Sequence, residues 1–311
     1  MVVDYKVFKF LIKYVYAANL VLLIMIFAAG KTRGIAGWFK LDFIDRALQP
    51  GELCKISIIV TLSKYVSDCM DKEGKFRGLG YIIKTTMYCA VPTVLVMMQP
   101  DFGTAFVFIC IMVFIYFIGR ISWGYILTAA GGLAVCMPLA YYFVLSDSQR
   151  ERIDVFINPE SDLQNSGYNV AQSKIAIGSG QLTGKGFFSE GTLAQLRFVP
   201  ERHTDFIFAG IVEGLGFVGG TIIICLFFAL IFRWIYIAMR TKDSFGTCLV
   251  VGVAGMFTAH VFENIGMTIG LMPVTGIPLP FISYGGSNLL TNLIGVGIVE
   301  NVWMRRQSKK R

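Results

Sequence analysis

Val199-Pro-Glu-Arg-His-Thr-Asp-Phe-Ile-Phe208 opens an apolar segment that runs on to about Tyr236. Glu201, Arg202, His203 and Asp205 stand at the mouth of a stretch long enough to cross a bilayer, which takes roughly 20 residues. A charge carried into hydrocarbon costs about 2.5–3.5 kcal/mol on insertion scales and more in simulations. Asp205 is therefore solvated at the interface, paired, or used in chemistry.

The rest of the chain has the same character. Of its 311 residues, 55% are hydrophobic and 15% charged, with a mean hydropathy of +0.64. A soluble protein carries about 25% charged residues. The apolar residues come in long blocks, so the pattern predicts an all-α polytopic membrane protein. About eight transmembrane helices are expected, near Val7–Ala29, Glu52–Cys69, Tyr81–Met98, Gly103–Gly119, Trp123–Leu145, Asp205–Tyr236, Phe245–Leu271 and Phe281–Met304. The second is the weakest, being short and carrying Glu52, Lys55 and Lys64. The sixth is longer than a span needs, and its glycines predict a break near Gly214–Gly216.

The net charge of +8 does not point to nucleic acid. Its largest run, Arg305-Arg-Gln-Ser-Lys-Lys-Arg311, directly follows an apolar segment, where a cytoplasmic flank belongs. Eight spans with a basic C-terminus and Lys6 and Lys9 near the start predict a multi-pass plasma-membrane protein with both termini cytoplasmic. Lys31–Gly51, Gln99–Phe102, Met272–Pro280 and the long loop of residues 146–204 then face outward. Within that loop Tyr168–Ile177 reads as a short amphipathic helix. Gly178-Ser-Gly-Gln-Leu-Thr-Gly-Lys-Gly186 reads as a flexible glycine-rich link; it lacks the strand, spacing and helix of a phosphate loop. The seven cysteines fall in or beside apolar segments without a Cys-x-x-Cys pair, as buried small residues do. Two distant histidines define no metal site. The first apolar segment is too long for the core of a cleavable signal peptide.

Several polar groups on the outward side need explaining. Glu52 and Lys55, three residues apart, share a helix face; they are either an interfacial pair or a cation aimed into a cavity. Gln99-Pro-Asp101 is read first as a turn with Asp101 capping the next helix. Arg33 and Trp38 are interfacial anchors or site residues. Met272-Pro-Val-Thr-Gly-Ile-Pro-Leu-Pro-Phe-Ile-Ser-Tyr-Gly-Gly-Ser287 breaks a helix with three prolines before re-entering the membrane. Such backbone is tolerated only where it lines a cavity or packs on protein. A ligand with an anionic head and a lipid tail suits a cavity built from these parts.

These stretches, with Leu48-Gln-Pro-Gly-Glu-Leu-Cys-Lys55, Asn158-Pro-Glu-Ser-Asp162, Gly167-Tyr-Asn-Val-Ala-Gln-Ser-Lys-Ile-Ala-Ile-Gly-Ser-Gly180 and Pro200–Phe208, resemble the SEDS family (shape, elongation, division and sporulation). The wording is closer to its RodA branch than to its division branch. The resemblance extends from about Arg33 to the C-terminus and treats residues 1–311 as a single membrane-embedded domain. It implies a peptidoglycan glycosyltransferase that polymerises lipid II at the outer face of the plasma membrane, working beside a class B penicillin-binding protein. The family's essential aspartate corresponds to Asp205, and its Glu/Lys pair to Glu52 and Lys55. The matching stretches add Gln49, Asp101, Gln172, Lys174, Arg202, His203, Ser283 and Ser287, with Arg33 and Trp38, as candidate substrate contacts. No cofactor is implied with certainty, and the pyrophosphate leaving group leaves room for a divalent cation. The family usually has ten spans, so the first two are expected to be absent here. Glu213-Gly214 stands where the family has two glutamates.

The chemistry suits the residues. Joining two sugars means deprotonating an acceptor hydroxyl as it attacks an anomeric carbon, and a positioned carboxylate speeds this by about 10²–10⁴-fold. Asp205 is expected to be that base, Lys55 to meet the pyrophosphate, and Glu52 to orient Lys55. Two other readings fit the same cavity: a lipid II flippase, and a non-catalytic scaffold for the penicillin-binding protein. Neither needs Asp205 as a base.

Overall fold

The computed structural model describes residues 4–29, 39–41, 46–143, 147–158, 166–186 and 203–305. Its helices are α1 (Phe8–Ala29), α2 (Pro50–Glu73), α3 (Leu79–Met97), α4 (Phe102–Ile118), α5 (Trp123–Phe143), α6 (Asp147–Ile157), α7 (Ser166–Ser179), α8 (Ile207–Arg240), α9 (Ser244–Thr268) and α10 (Gly286–Arg305). Eight of them coincide with the eight apolar segments; α6 and α7 lie in the long segment between α5 and α8. α7 is the amphipathic helix expected there, longer by a few residues, whereas nothing in the apolar pattern announced α6. A two-stranded antiparallel ribbon, β1 (Phe39–Leu41) with β2 (Arg46–Leu48), pairs Phe39 with Leu48 and precedes α2.

The chain forms two compact units. One comprises Met1–Ser122, Leu230–Ala259 and Gly285–Arg311, the other Trp123–Ala229 and His260–Tyr284. In the first, α2 packs against α1, α3, α4 and α10. Its ends are set locally. Gln49 is extended, and Pro50 supplies a preset φ at the first helical position. Gly74 closes the helix in the left-handed conformation with φ 73°, its N–H donating to the Met70 carbonyl. This central position explains the weak apolar signal of α2. Glu52, Lys55, Ser57, Thr61, Ser63 and Ser67 are all buried by protein, so the helix does not meet lipid along that face.

Among the described residues, four helices are long and apolar enough to cross a membrane: Tyr5–Ile26, Leu79–Met97, Ile207–Arg240 and Ser244–Thr268. They use their apolar residues differently. α9 is mostly buried, while α8 leaves Phe217, Ile222, Leu226 and Phe232 exposed, as a lipid-facing helix does.

In the second unit α8 breaks where expected. Gly216 takes φ 73° and ψ −173°, outside helical space. The broken turn frees backbone groups, and the glycine-rich link after α7 satisfies them. Phe217 N donates to the Gln181 carbonyl at 2.8 Å and Val218 N to the Leu182 carbonyl at 3.1 Å. In return Lys185 N donates to the Glu213 carbonyl at 3.0 Å and Gly186 N to the Gly214 carbonyl at 2.9 Å. A side chain at Gly184 would collide with the Gly214 carbonyl, so these glycines permit close approach of two backbones. That replaces the expectation of a merely flexible link. Lys185 Nζ also stands 3.4 Å from the buried carboxylate of Glu213, which Ser179 Oγ approaches at the same distance.

Candidate active site

The sequence-predicted residues fall into two groups, one in each unit. In the first, Gln49 is the hub. Its N–H donates to Ser287 Oγ at 3.3 Å, at the start of α10, and its Nε2 donates to Asp101 Oδ2 at 3.0 Å. Asp101 Oδ1 accepts from Thr104 N at 3.0 Å, the helix cap expected of it. One turn into α2, Lys55 Nζ donates to Glu52 Oε1 at 2.6 Å, with side-chain exposures of 0% and 3%. These values remove the reading of a pair solvated at an interface. They also show an ammonium turned to its carboxylate inside protein rather than presented on a surface. Glu52 Oε2 is buried with no hydrogen-bond partner among the described residues.

The second group surrounds Asp205. A turn at His203–Phe206 leads into α8, with His203 exposed, Asp205 half-buried and Phe206 buried. Phe206 and Ala209 pack with Val170 and Ala176 of α7, anchoring the turn from below. The proline-rich stretch after α9 holds it from the other side. Ser283 Oγ donates to the Thr204 carbonyl at 2.6 Å and accepts from Leu279 N at 2.7 Å. Tyr284 N donates to the His203 carbonyl at 2.9 Å. Asn264 Nδ2, from α9, donates to the carbonyls of Asp205 at 2.8 Å and Ile277 at 2.7 Å. Gly276 has φ +76°, and a Cβ there would lie 3.3 Å from Asp205 Oδ2, so the carboxylate rests over this glycine. His260 Nδ1 stands 3.0 Å from the Pro278 carbonyl. The irregular backbone of residues 272–285 thus packs on protein and fixes the aspartate.

Gln172 and Lys174 lie on α7 around Ser173, which is buried and donates to the Thr268 carbonyl at 2.8 Å. Gln172 is half-buried and Lys174 exposed. Arg33, Trp38 and Arg202 lie outside the described residues. Three members of the second group escaped the sequence reading: Asn264, His260 and Gly276. Asn264 carries a signal of its own, being an amide in the last turns of an apolar helix.

Among the described residues no three His, Cys, Asp or Glu side chains converge, so these offer no all-protein cage for a divalent cation. What the second group offers is a carboxylate with a fixed backbone, which can take a proton from a hydroxyl that reaches it.

A model of the cell cycle protein family of FtsW, RodA and SpoVE matches residues 1–308. The chain belongs to this family. It is 38% identical over 296 residues to the peptidoglycan glycosyltransferase MrdB of Escherichia coli K12, covering 94% of this chain and 78% of that one. It is 36% identical to stage V sporulation protein E of Bacillus subtilis, covering 91% and 75%. A chain solved in a study of the structural coordination of polymerization and crosslinking by a peptidoglycan synthase complex superposes with a TM-score of 0.82 at 27% identity, covering 99% of this chain and 85% of that one. RodA of Thermus thermophilus superposes at 0.69 with 25% identity, covering 98% and 81%. The FtsW/RodA/SpoVE membership makes this an all-α polytopic membrane protein and a peptidoglycan glycosyltransferase.

Proposed function

We propose that this glycosyltransferase polymerises lipid II with Asp205 as general base. The acceptor hydroxyl gives its proton to the Asp205 carboxylate as its oxygen attacks the anomeric carbon of the donor sugar. The bond from that carbon to the lipid pyrophosphate breaks, and the pyrophosphate leaves with the electron pair. The observation that carries this reading is the clamp on the turn: Asn264, Ser283 and Tyr284 bind the backbone of His203, Thr204 and Asp205. A base held before substrate arrives spares the reaction the cost of orienting it.

Lys55 is proposed as the cation for the pyrophosphate, reached when the substrate competes for its contact with Glu52, which otherwise orients it. Gln49, Asp101 and Ser287 brace that helix start; Gln172, Lys174, His203 and Ser283, with Arg33, Trp38 and Arg202, are proposed as contacts or supports for substrate. Both termini are proposed to be cytoplasmic from the placement of the basic residues, an orientation that would put the turn at Asp205 on the outer face where lipid-linked precursor is consumed. A class B penicillin-binding protein is the proposed partner; the likeness to a synthase complex that coordinates polymerization with crosslinking supports it.

Polymerisation of labelled lipid II by the purified chain, alone and with that partner, tests the reading. Glycan strands are expected from wild type and none from Asp205→Ala, a loss of about 10²–10⁴-fold. Lipid II translocation in liposomes without glycan would replace the polymerase with a flippase. Cell-wall growth sustained by Asp205→Asn would leave a scaffold.

A further inference from the structure

Three tyrosines meet at the end of the first unit where α1 and α3 begin and α2 finishes. Tyr65 of α2 stacks on Tyr88 of α3, with ring centres 4.9 Å apart and planes at 11°. Tyr16 of α1 meets Tyr88 edge-on at 5.1 Å, and its hydroxyl donates to the Tyr88 carbonyl at 3.0 Å. Two lysines stand over the same Tyr65 ring, Lys84 of α3 at 4.6 Å and Lys64 of α2 at 5.6 Å. Lys13, one turn before Tyr16 on α1, is exposed.

Tyr88 stacks on one face of Tyr65, so the two ammonium groups share the other face and its edge. A ring attracts each cation but neutralises neither, and two like charges drawn to one ring repel. Neither Lys64 nor Lys84 makes a hydrogen bond or ion pair among the described residues. Asp68, one turn beyond Lys64, stands 3.7 Å from Lys9 instead. The Tyr65 and Tyr88 hydroxyls are 3.1 Å apart; one proton lies between them, and the second is left for an outside acceptor. Two ammonium groups and a hydroxyl proton gathered around one ring complement a phosphate.

The surroundings identify the molecule that carries the phosphate. Lys13 and Lys84 each stand little more than a turn inside the start of their helix, and the tip of a lysine reaches back from there to headgroup level. Leu11 and Tyr14 of α1 and Ile83 and Met87 of α3 are exposed beside them, apolar surface that suits acyl chains and not a soluble anion. A zwitterionic lipid would bring its own ammonium to a place that already holds two. We propose that this tyrosine cluster binds the headgroup phosphate of an anionic phospholipid, with Lys64 and Lys84 on its charge and the exposed residues of α1 and α3 against its chains. The bound lipid screens the two lysines from each other and ties α1, α2 and α3 together at this end.

The test is titration of the detergent-purified full chain with phosphatidylglycerol, read by native mass spectrometry and by thermal unfolding. Wild type is expected to retain phosphatidylglycerol in preference to phosphatidylcholine and to unfold later when it is added. Lys64→Gln/Lys84→Gln is expected to bind its tightest phosphatidylglycerol roughly ten- to thirtyfold more weakly and to gain no thermal protection. Lys64→Arg/Lys84→Arg, which keeps both charges, is expected to retain binding. Arg233→Gln/Arg240→Gln, which removes two cations from the exposed surface of α8, is expected to bind as wild type does. Equal binding by wild type and Lys64→Gln/Lys84→Gln overturns the proposal. So does an equal loss in the α8 variant, which would make net charge and not this cluster responsible. Displacement of phosphatidylglycerol by an equal concentration of farnesyl pyrophosphate overturns it as well, giving the cluster to a prenyl-linked anion.

Discussion

The Glu52–Lys55 pair and Asp205 are charged groups in an apolar chain, held in opposite ways. The pair is self-contained: three residues of helix bring Nζ to 2.6 Å from Oε1, and surrounding helices bury both side chains. Asp205 sits on a turn, and its partners come from far along the chain. Asn264 reaches it across 59 residues, and Ser283 reaches the neighbouring Thr204 across 79. The difference teaches where each group is vulnerable. A charge held by helix geometry fails when its partner is removed, because desolvation is then uncompensated. A carboxylate held by distant backbone contacts fails gradually, as its position loosens, and the loss is in rate before it is in stability.

Breaking the pair is therefore the largest stability effect expected from these residues. Lys55→Met leaves the Glu52 carboxylate buried without its cation, and removing one partner of a buried ion pair costs about 3–5 kcal/mol. Thermal unfolding of the detergent-purified variant should start several degrees earlier. Glu52→Gln/Lys55→Met, which removes both charges, should recover most of that loss. If the single and double variants unfold together, the pair contributes nothing to the fold and the contrast with Asp205 collapses.

That contrast also marks what the sequence reveals. Helix positions were legible because burial in lipid demands long apolar blocks, and the break in α8 because clustered glycines permit a non-helical residue at Gly216. The Glu52–Lys55 contact followed from spacing, and the Asp101 cap from its place before Phe102. The burial of α2 was not legible, since Glu52, Lys55 and Lys64 lower its apolar signal and only tertiary packing shows that protein replaces lipid around it. The link at Gly178–Gly186 is a similar case. Its glycines read as freedom, whereas they allow a backbone to be laid against the broken helix. Asn264 stands out as an amide in an apolar helix, but its partners, like the contact of Gly276 with Asp205, are set by tertiary packing that no local pattern encodes.

Asn264 sharpens the comparison from the other side. Its amide nitrogen joins the Asp205 turn to the proline-rich stretch, while its Oδ1 is buried with no hydrogen-bond partner among the described residues. Asn264→Ala removes both of these hydrogen bonds, and the buried Ile277 carbonyl left without its amide donor costs about 1–3 kcal/mol. As a positioning residue it should lower kcat for lipid II polymerisation more than it raises KM, with membrane insertion normal. A change confined to KM would mean that Asn264 serves binding and does not position the base.

Gly276→Ala is the smallest intervention and the most local. At φ +76° a side chain costs roughly 1–2 kcal/mol, a strain that a chain of this size tolerates. The added methyl also meets Asp205 Oδ2 at 3.3 Å, tighter than ordinary contact, so the carboxylate must shift by a few tenths of an ångström. Reaction geometry is sensitive on that scale, since misplacement by about 1 Å can cost 10²-fold in rate. A loss of roughly 3- to 10-fold in polymerisation is expected, with unfolding changed by only a degree or two. Gly276→Ser, which adds a hydroxyl at the same spot, separates crowding from strain: equal losses in the two variants assign the effect to backbone strain, and a larger loss in one of them shows that the carboxylate itself was displaced. Full activity in both would mean that the carboxylate does not need its seat on Gly276, and the distinction between a self-contained pair and a distantly held base would lose its functional half.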